Sequence, residues 1–358
     1  MTRNIWLTAL ALLLPLLSAC QGRRGLEPPA PQEIETSVFL VGDAGEPNPR
    51  QLGPALRHLS EQVAAAPDGS VVLFLGDNIY PEGVPQEGAP EWADARRRLR
   101  TQIQLIPPGV RAIFMPGNHD WGGGPFGLYS LRTQEAWIAE MAGGRDVSMV
   151  PSNGCPGPVP FDVGRLRMVI LDTQWWLHDY IVRDERSNCD TNTSGQVTAA
   201  LREQVRPTRD DQIVMVAGHH PLVTGGRHGG YCGITGPFQR FAGRSQDIMS
   251  SANRTMRDSL ESAFSAHPPL IYASGHEHTL QVLRGGRSVH YLLVSGSASK
   301  RECAVKMRES YYVSQNRHGF MRVDLLRDGS VWLGVYRYTG QGEGEGGLSY
   351  ARLLNPRR

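Results

Sequence analysis

The ends of the predicted strands constrain this chain more than any other feature of its sequence. Five apolar runs that read as buried strands are each followed at once by a glycine-containing loop with acidic, amide or imidazole side chains. These loops contain Gly42-Asp43, Gly76-Asp77, Gly117-Asn118-His119, Gly218-His219 and Gly275-His276-Glu277-His278. Because ligand sites of open α/β sheets lie at the carboxyl ends of the strands, we expect these loops to meet at one edge.

The segments between these loops alternate between helix and strand patterns. The predicted helices are 50–66, 91–105, 194–205 and 253–264, and the predicted strands are 37–41, 71–75, 110–115, 160–163, 166–171, 212–217, 270–274, 280–283, 288–294, 319–326 and 330–338. Such alternation indicates an α/β fold. The basic run Arg96–Arg98 is predicted to be a solvated helix face.

Length and charge narrow the organisation of the chain. Its 358 residues suffice for one large domain or two small ones, and its formal net charge is only +2. A protein that binds a nucleic-acid backbone is expected to show a clustered basic excess, so we predict no nucleic-acid partner. We predict one domain over 36–338, followed by a glycine-rich C-terminal tail over 339–358.

Residues 1–19 have the layout of a secretory signal, in which Arg3 precedes an apolar run. The ending Ser18-Ala19-Cys20 resembles a bacterial lipoprotein signal, in which the cysteine is lipidated and becomes the first mature residue. Residues 20–35 then read as a tether rich in proline and glycine. This resemblance implies export and a lipid anchor in a bacterial cell envelope, at the periplasmic face of the outer membrane or at the cell surface. The alternative is an ordinary signal peptide that happens to contain a cysteine.

The five loops together supply the donors of a metal centre. A single Gly-Asp after a strand is more often a turn or a helix cap. Five loops that bring two aspartates, an asparagine and three histidines to one edge provide the oxygen and nitrogen ligands of a two-metal site.

This set of motifs resembles the calcineurin-like metallophosphoesterases, and the match runs in order from Asp43 to His278. The resemblance implies a four-layer α/β/β/α sandwich. It also implies that Asp77 bridges two metal ions. Asp43 and His278 would complete one site, and the other site would be completed by Asn118, His219 and His276.

One departure from the family pattern points to a subgroup. Many members have a histidine two residues after the first aspartate, and here that position is Gly45. The sequence Gly76-Asp77-Asn78-Ile79-Tyr80 is similar to the version in small, tartrate-resistant purple acid phosphatases, where the tyrosine ligates the first metal. This resemblance implies Fe(III) in the Tyr80 site and a divalent ion, Fe, Zn or Mn, in the other. The anionic donors of the first site also favour a hard trivalent ion.

The resemblance assigns substrate contacts to three residues. Asn118 and His119 would bind the substrate, and His119 could protonate a leaving group with Asp120 as its partner. His228, nine residues after His219, corresponds to a comparable histidine of small purple acid phosphatases and would bind substrate and assist catalysis. The alternative for His228 is a solvated loop residue.

The function implied is hydrolysis of small phosphate monoesters at acidic pH by a metal-bound hydroxide, in a monomeric enzyme. A phosphodiesterase or nucleotide hydrolase could use the same centre, because the outer loops select the substrate. A non-catalytic, tethered phosphate-binding lipoprotein is the alternative outside the enzyme class.

Besides Cys20, the chain contains Cys155, Cys189, Cys232 and Cys303. In a protein that leaves the cytosol, these four permit two disulfides with three connectivities. The analogy with small purple acid phosphatases favours Cys189–Cys232.

Overall fold

The computed structural model describes residues 27–122, 126–178, 188–230, 232, 246–338 and 346–354. Within these ranges the strands are β1 Ile34–Val41, β2 Val71–Phe74, β3 Arg111–Phe114, β4 Val147–Met149, β5 Val159–Val163, β6 Leu166–Ile170, β7 Ile213–Ala217, β8 Ile271–Ser274, β9 Leu280–Arg284, β10 Tyr291–Ser295, β11 Ser310–Ser314, β12 His318–Leu326, β13 Val331–Tyr338 and β14 Gly346–Leu353. The helices are α1 Pro54–Ala64, α2 Trp92–Gln104, α3 Asn118–Trp121, α4 Gly127–Ala142, α5 Gln174–Leu177, α6 Ser194–Gln204 and α7 Ser251–Phe264.

These strands form two seven-stranded mixed sheets. The first sheet has the order β14-β13-β12-β1-β2-β3-β4, and the second has the order β11-β9-β10-β8-β7-β6-β5. In the first sheet β1, β2, β3 and β4 are parallel. In the second sheet β6, β7, β8 and β10 are parallel. The strands that carry the five motif loops therefore end on the same side of their sheets.

The period-2 alternation of strand side chains creates three apolar layers. On β1, Phe39 and Val41 pack under α1, α2 and α4, whereas Val38 and Leu40 pack between the two sheets. On β7, Val214 and Val216 pack against α5, α6 and α7. The order of layers is thus helix, sheet, sheet, helix, and the predicted α/β fold with two packed sheets is confirmed.

Three elements of five residues or more were not predicted from the sequence. Residues 127–142 form α4, although the glycine- and tryptophan-rich stretch after β3 was expected to be a loop. Ser310–Ser314 forms β11 at the edge of the second sheet. Gly346–Leu353, within the predicted tail, forms β14 and pairs antiparallel with β13. The glycine-rich start of β14 and its half-exposed side chains give it no alternating apolar pattern.

The disulfide prediction Cys189–Cys232 is wrong. Cys155 pairs with Cys189, and Cys232 pairs with Cys303. The first bridge joins the loop before β5 to the segment before α6, and the second joins the loop after His228 to the loop after β10. Both bridges connect loops that are distant in sequence, with separations of 34 and 71 residues.

Removal of the first bridge is expected to destabilise the fold. The double substitution Cys155→Ser and Cys189→Ser frees a loop of 34 residues in the unfolded chain, so the free energy of unfolding should fall by about 2–4 kcal/mol. Urea denaturation of the oxidised protein measures this change. Mass spectrometry of non-reduced peptides provides the control, and a peptide that links Cys189 to Cys232 would contradict the pairing.

Among the described residues, no helix is both long and apolar enough to span a membrane. The predicted signal segment, Cys20 and residues 21–26 of the predicted tether lie outside the described residues. The last two residues of the predicted tether, Ile34 and Glu35, belong to β1.

Candidate metal centre

The five motif loops converge between the carboxyl ends of β1, β2, β3, β7 and β8. Glycines permit this approach, because a Cβ at Gly117 would overlap Asp77 Oδ1 and the His219 ring. A Cβ at Gly42 would lie 2.6 Å from Ser295 O and 3.0 Å from Gly275 Cα. The recurrent glycine in the motifs is therefore a requirement of close packing at this edge.

Three of the converging residues have an uncommon backbone conformation. Asp43, Asp77 and His276 have φ values of 58°, 56° and 67°. Left-handed conformations of residues other than glycine cost free energy and persist where the surrounding structure fixes them. Here Asp43 Oδ2 accepts a hydrogen bond from His276 N at 2.9 Å, and Asp77 Oδ1 accepts one from His119 N at 2.9 Å.

A first group of donors surrounds the Tyr80 hydroxyl. Tyr80 Oη lies 3.0 Å from Asp43 Oδ1, 3.0 Å from Asp77 Oδ2 and 3.0 Å from His278 Nε2. His278 Nε2 is in turn 3.4 Å from Asp43 Oδ1. Two carboxylates, a phenol and an imidazole thus meet within one coordination sphere, a donor set suited to a hard cation.

A second group surrounds the Asn118 side-chain oxygen. Asn118 Oδ1 lies 3.0 Å from His219 Nε2 and 2.9 Å from His276 Nδ1. Asp77 Oδ1 is 3.4 Å from His219 Nε2. Since the other oxygen of Asp77 contacts Tyr80, the two oxygens of this carboxylate face the two donor groups. This is the geometry expected of a bridging ligand.

Gly45 explains why the first group contains a tyrosine. A Cβ at Gly45 would lie 2.6 Å from Asp77 O and 2.5 Å from Asn78 C, so a histidine cannot be accommodated there. Tyr80 N instead donates a hydrogen bond to Gly45 O at 3.3 Å. The loop that excludes a side chain at residue 45 therefore also holds the backbone of Tyr80.

The charges of the two groups indicate that they fit cations. Burial and the carboxylates of Asp43 and Asp77 raise the pKa of Tyr80 well above its usual value. Burial and four neighbouring imidazoles lower the pKa of His276 well below its usual value. Although burial favours the neutral acid, the His219 and His119 imidazoles lower the pKa of Asp77. Converging lone pairs of carboxylate, amide and imidazole atoms are the arrangement that metal ions satisfy.

Two of the predicted ligands are oriented by further acceptors. His219 Nδ1 lies 2.7 Å from Leu75 O, and His278 Nδ1 lies 3.5 Å from Glu302 Oε2. Such contacts fix the tautomer and leave the other ring nitrogen free to bind a metal. Glu302 follows no strand-end motif, and nothing in the sequence singled it out.

His119 is positioned to contact a substrate. Its Nδ1 contacts Pro81 O, its Nε2 lies 4.0 Å from Asp77 Oδ2, and its side chain is 35% exposed. Asp120 is not its partner, contrary to the sequence interpretation. Asp120 accepts hydrogen bonds from the backbone amides of Asn78 and Gly117 at 2.9 Å and 2.8 Å, so it holds the two loops together.

His228 lies beside the second donor group and is not a solvated loop residue. Its Nδ1 is 2.9 Å from Asp247 Oδ1, and its amide donates to Glu277 Oε1 at 3.1 Å. Its ring centroid is 4.2 Å from that of His276. Although burial opposes protonation, the hydrogen bond to Asp247 raises the pKa of His228. The contact with Asp247 was not predicted, since the segment between them has no regular pattern.

Other histidines and aromatic residues near the centre have structural roles. Potential ligand atoms of His219, His220 and His276 lie within 4.8 Å of one another. Both ring nitrogens of His220 are already engaged, however, at 2.9 Å from Thr173 Oγ1 and 2.8 Å from Gln246 Oε1. Trp175 and Trp176 are buried in the core beneath α6 and α7.

Asp172, at the end of β6, should make stability depend on pH. It accepts a hydrogen bond from Trp121 Nε1 at 2.8 Å, and burial raises the pKa of Asp172 to about 7. The folded protein then holds a proton that the unfolded chain releases near pH 3.8. Stability therefore falls as pH rises from about 4 to about 7, by a contribution on the order of 4 kcal/mol.

The substitution Asp172→Asn is expected to remove this contribution. Urea denaturation of the wild type and the variant, compared across this pH range, measures the difference in slope. Asp146→Asn is the matched control, because the side chain of Asp146 is 58% exposed and pairs with Arg111. An unchanged slope in the Asp172 variant would contradict the assignment to burial.

Comparison with known proteins agrees with this geometry. Residues 36–280 match the calcineurin-like phosphoesterase family. No curated protein matches the chain by sequence. Among solved structures, a purple acid phosphatase, PPD1 from yellow lupin (Lupinus luteus) seeds, has a TM-score of 0.55 and 13% identity over 91% of this chain and 55% of that chain.

A second solved structure is similar over most of its length. GAP50 of Plasmodium, the anchor in the inner membrane complex, has a TM-score of 0.54 and 16% identity over 90% of this chain and 89% of that chain. At these identities both structures show a shared fold alone. The family match spans most of the chain, from β1 to the first residue of β9, and the chain therefore belongs to the calcineurin-like phosphoesterase family.

Proposed function

We propose that this protein is an acid phosphatase of the purple acid phosphatase type, which hydrolyses small phosphate monoesters with Fe(III) in the Tyr80 site and a divalent ion in the Asn118 site. The observation that carries the proposal is the position of Tyr80 Oη, 3.0 Å from Asp43, Asp77 and His278. A phenol in this position supplies a hard oxygen donor to a site that already holds two carboxylates.

Two sets of side chains, which share Asp77, would hold the two metal ions. Asp43, Asp77, Tyr80 and His278 would hold the trivalent ion, and Asp77, Asn118, His219 and His276 the divalent ion. A bound pair of cations neutralises phosphoryl oxygens and lowers the pKa of water, which would permit hydrolysis below neutral pH.

The protein's own side chains would position the ester and its leaving group. Asn118 Nδ2 is available to donate to a phosphoryl oxygen while its Oδ1 faces the two histidines. His119, partly exposed, would orient the ester from the side of Asp77. His228 would supply a proton to the departing alcohol, because Asp247 binds its Nδ1 and favours the protonated ring.

A non-catalytic, tethered protein is the second candidate. The observation that favours it is the reciprocal similarity to GAP50, which is described as an anchor and matches 90% of this chain and 89% of its own. The complete set of donor side chains around Asp77 supports the enzyme instead, because a protein without catalysis has no need to keep them.

Hydrolysis assays discriminate these candidates. Full-length protein loaded with Fe(III) and Zn²⁺ is expected to release nitrophenol from p-nitrophenyl phosphate with an acidic optimum. Release from bis(p-nitrophenyl) phosphate is expected to be much slower, and the opposite preference would indicate a phosphodiesterase. If protein with a verified two-metal content hydrolyses neither ester, the proposal is wrong and the non-catalytic candidate is favoured.

We also propose that the protein is exported and anchored through lipidated Cys20. The support is the sequence Ser18-Ala19-Cys20 after an apolar run. Labelling of bacterial cells with radioactive palmitate should mark the wild type and not the Cys20→Ser variant. Equal labelling of both would contradict the anchor.

A further inference from the structure

A cavity lies behind the loop that carries Asp43. Its volume is about 620 Å³, and it opens between the start of α1, the start of α2 and the loop after β10. This volume is within the range of small-molecule sites. The charged side chains that line it are Glu46, Arg57, Asp94, Arg97, Arg98 and Arg301. None of the metal donors lines it.

The wall of this cavity is positively charged. Four arginines and two carboxylates are among the lining residues, so the side chains that line the cavity carry a net charge of +2. His318, which also lines the cavity, adds no charge, because burial and the nearby Arg301 lower the pKa of its imidazole. The sequence alone suggested that the basic run in α2 is merely solvated. In the structure, two of its arginines, Arg97 and Arg98, line the cavity.

The two arginines of α2 that line the cavity, Arg97 and Arg98, share the carboxylate of Asp94. Asp94 accepts from Arg97 Nη2 at 2.7 Å and from Arg98 Nε at 2.6 Å. Arg98 Nη1 also donates to Gly45 O at 3.2 Å. Asp94 orients both guanidinium groups, but its single negative charge balances only one of their two positive charges. Oriented guanidinium groups lose less conformational entropy when they bind a phosphate or carboxylate.

The start of α1 adds backbone donors to the same wall. This 11-residue helix begins at Pro54, and its N-cap residue Gly53 provides no side-chain cap. The next residues, Ala55 and Leu56, are buried and line the cavity. Their amides have no acceptor within the helix, and the helix dipole favours a negative charge at this end.

We propose that this cavity is a binding site for a phosphate-bearing polyanion. The ligand class follows from the excess of guanidinium charge, the uncapped helix start and a volume larger than a single phosphate needs. The site does not depend on the proposed hydrolytic function, because none of its charged residues belongs to the metal centre.

Two sources of such a polyanion are consistent with the location of the cavity. Ser299, which lines it, donates a hydrogen bond to Asp43 O at 2.6 Å. Glu46, at its edge, contacts Lys300 Nζ, which lies 4.4 Å from the centre of the Tyr80 ring. The cavity therefore adjoins the metal centre, so the polyanion is either a second phosphate of the substrate or a separate molecule bound beside it.

Calorimetric titration with inositol hexasulfate tests the binding site, because a phosphatase cannot hydrolyse this polyanion. The metal-loaded full chain is expected to bind it saturably, and Arg57→Gln with Arg301→Gln should weaken binding at least about tenfold. The single variant Arg301→Gln should also weaken inositol hexasulfate binding. Because Arg301 is exposed, this variant should fold even if the double variant does not.

The matched control removes two arginines elsewhere. Arg100 and Arg254 are exposed and do not line the cavity, so Arg100→Gln with Arg254→Gln should leave affinity within about twofold of the wild type. Absence of saturable binding by the wild type would overturn the proposal. So would equal weakening in the control and cavity variants, since that would reflect overall charge alone.

Kinetics then identify the source of the polyanion, and this arm alone rests on the proposed function. If the cavity holds a second phosphate of the substrate, the cavity variants should raise KM for fructose 1,6-bisphosphate at least about tenfold and leave KM for p-nitrophenyl phosphate unchanged. If it holds a separate molecule, both KM values should stay unchanged while inositol hexasulfate binding is lost. Failure to hydrolyse either ester would count against the proposed function and not against the cavity site.

Discussion

Replacement of Asp77 by asparagine is expected to reduce the proposed phosphatase activity by at least about a thousandfold. Asparagine tolerates the left-handed conformation of residue 77, where φ is 56°, so the loop should keep its shape. The substitution replaces one oxygen by an NH₂ group and removes the negative charge. Since the two oxygens of Asp77 face the two donor groups, one group then receives a hydrogen-bond donor where it had an acceptor.

Metal content and unfolding separate this effect from simple destabilisation. The Asp77→Asn protein should bind fewer metal ions per chain than the wild type by elemental analysis, while its circular dichroism spectrum is unchanged. Asp324→Asn is the matched control, because Asp324 is fully buried but bonds Ser37 and Arg322 in the sheet. Wild-type activity in Asp77→Asn would exclude a bridging role for this carboxylate.

The positions of the metal donors could be predicted from sequence because the fold places strand ends, and strand ends are visible as apolar runs. Each of the six candidate ligands lies two to four residues after the end of such a run, and the structure brings all six together with Tyr80. These ligands are Asp43, Asp77, Asn118, His219, His276 and His278. Tyr80 could be predicted as a ligand only through the family resemblance. Gly45 stands where many members have a ligating histidine, and the purple acid phosphatases have a tyrosine ligand instead. The clash of any Cβ at Gly45 with the backbone of residues 77 and 78 is the physical reason for that substitution.

Contacts made by loops could not be predicted in the same way. Asp247 and Glu302 reach His228 and His278 from segments without helix or strand periodicity. The disulfides likewise join loops whose approach depends on the packing of both sheets, so spacing alone left three connectivities open. Asp120 was misassigned because adjacency to His119 in sequence suggested contact. In α3 the two side chains diverge, since neighbouring residues on a helix point in different directions.

The secondary structure missed by the sequence has a similar cause. The helix α4 follows several glycines and has no capping side chain. It buries Leu131, Trp137 and Ile138, but the polar Ser130 and Gln134 share this buried face while Tyr129 is exposed, which weakens the apolar period that identifies a helix. In β14 the side chains are half-exposed on an edge strand, which weakens the alternation that identifies buried strands. Apolar periodicity identifies an element from its buried face, and in α4 and β14 that periodicity is incomplete.

Replacement of Tyr80 by phenylalanine is expected to abolish the visible absorption that a tyrosinate bound to Fe(III) would give. The phenyl ring should still pack between Lys300 Nζ, 4.4 Å from the ring centre, and the His119 ring, whose centroid is 4.4 Å away. Only the hydroxyl, which lies 3.0 Å from Asp43, Asp77 and His278, is removed. The first donor group then keeps a net charge that suits a divalent ion, so its preference for a trivalent ion should be lost.

The metal-free protein distinguishes a ligand from a packing residue. Burial and the two carboxylates raise the pKa of Tyr80, so without metal its phenol is neutral and contributes only a hydrogen bond, about 1 kcal/mol of stability. Thermal unfolding of Tyr80→Phe should therefore match the wild type closely without metal and fall well below it with Fe(III). Tyr336→Phe, a buried tyrosine stacked on Phe320 in the core, should keep both the absorption and the stabilisation by Fe(III). An absorption band that survives in Tyr80→Phe would mean that Tyr80 is a packing residue, and the iron assignment would fail with it.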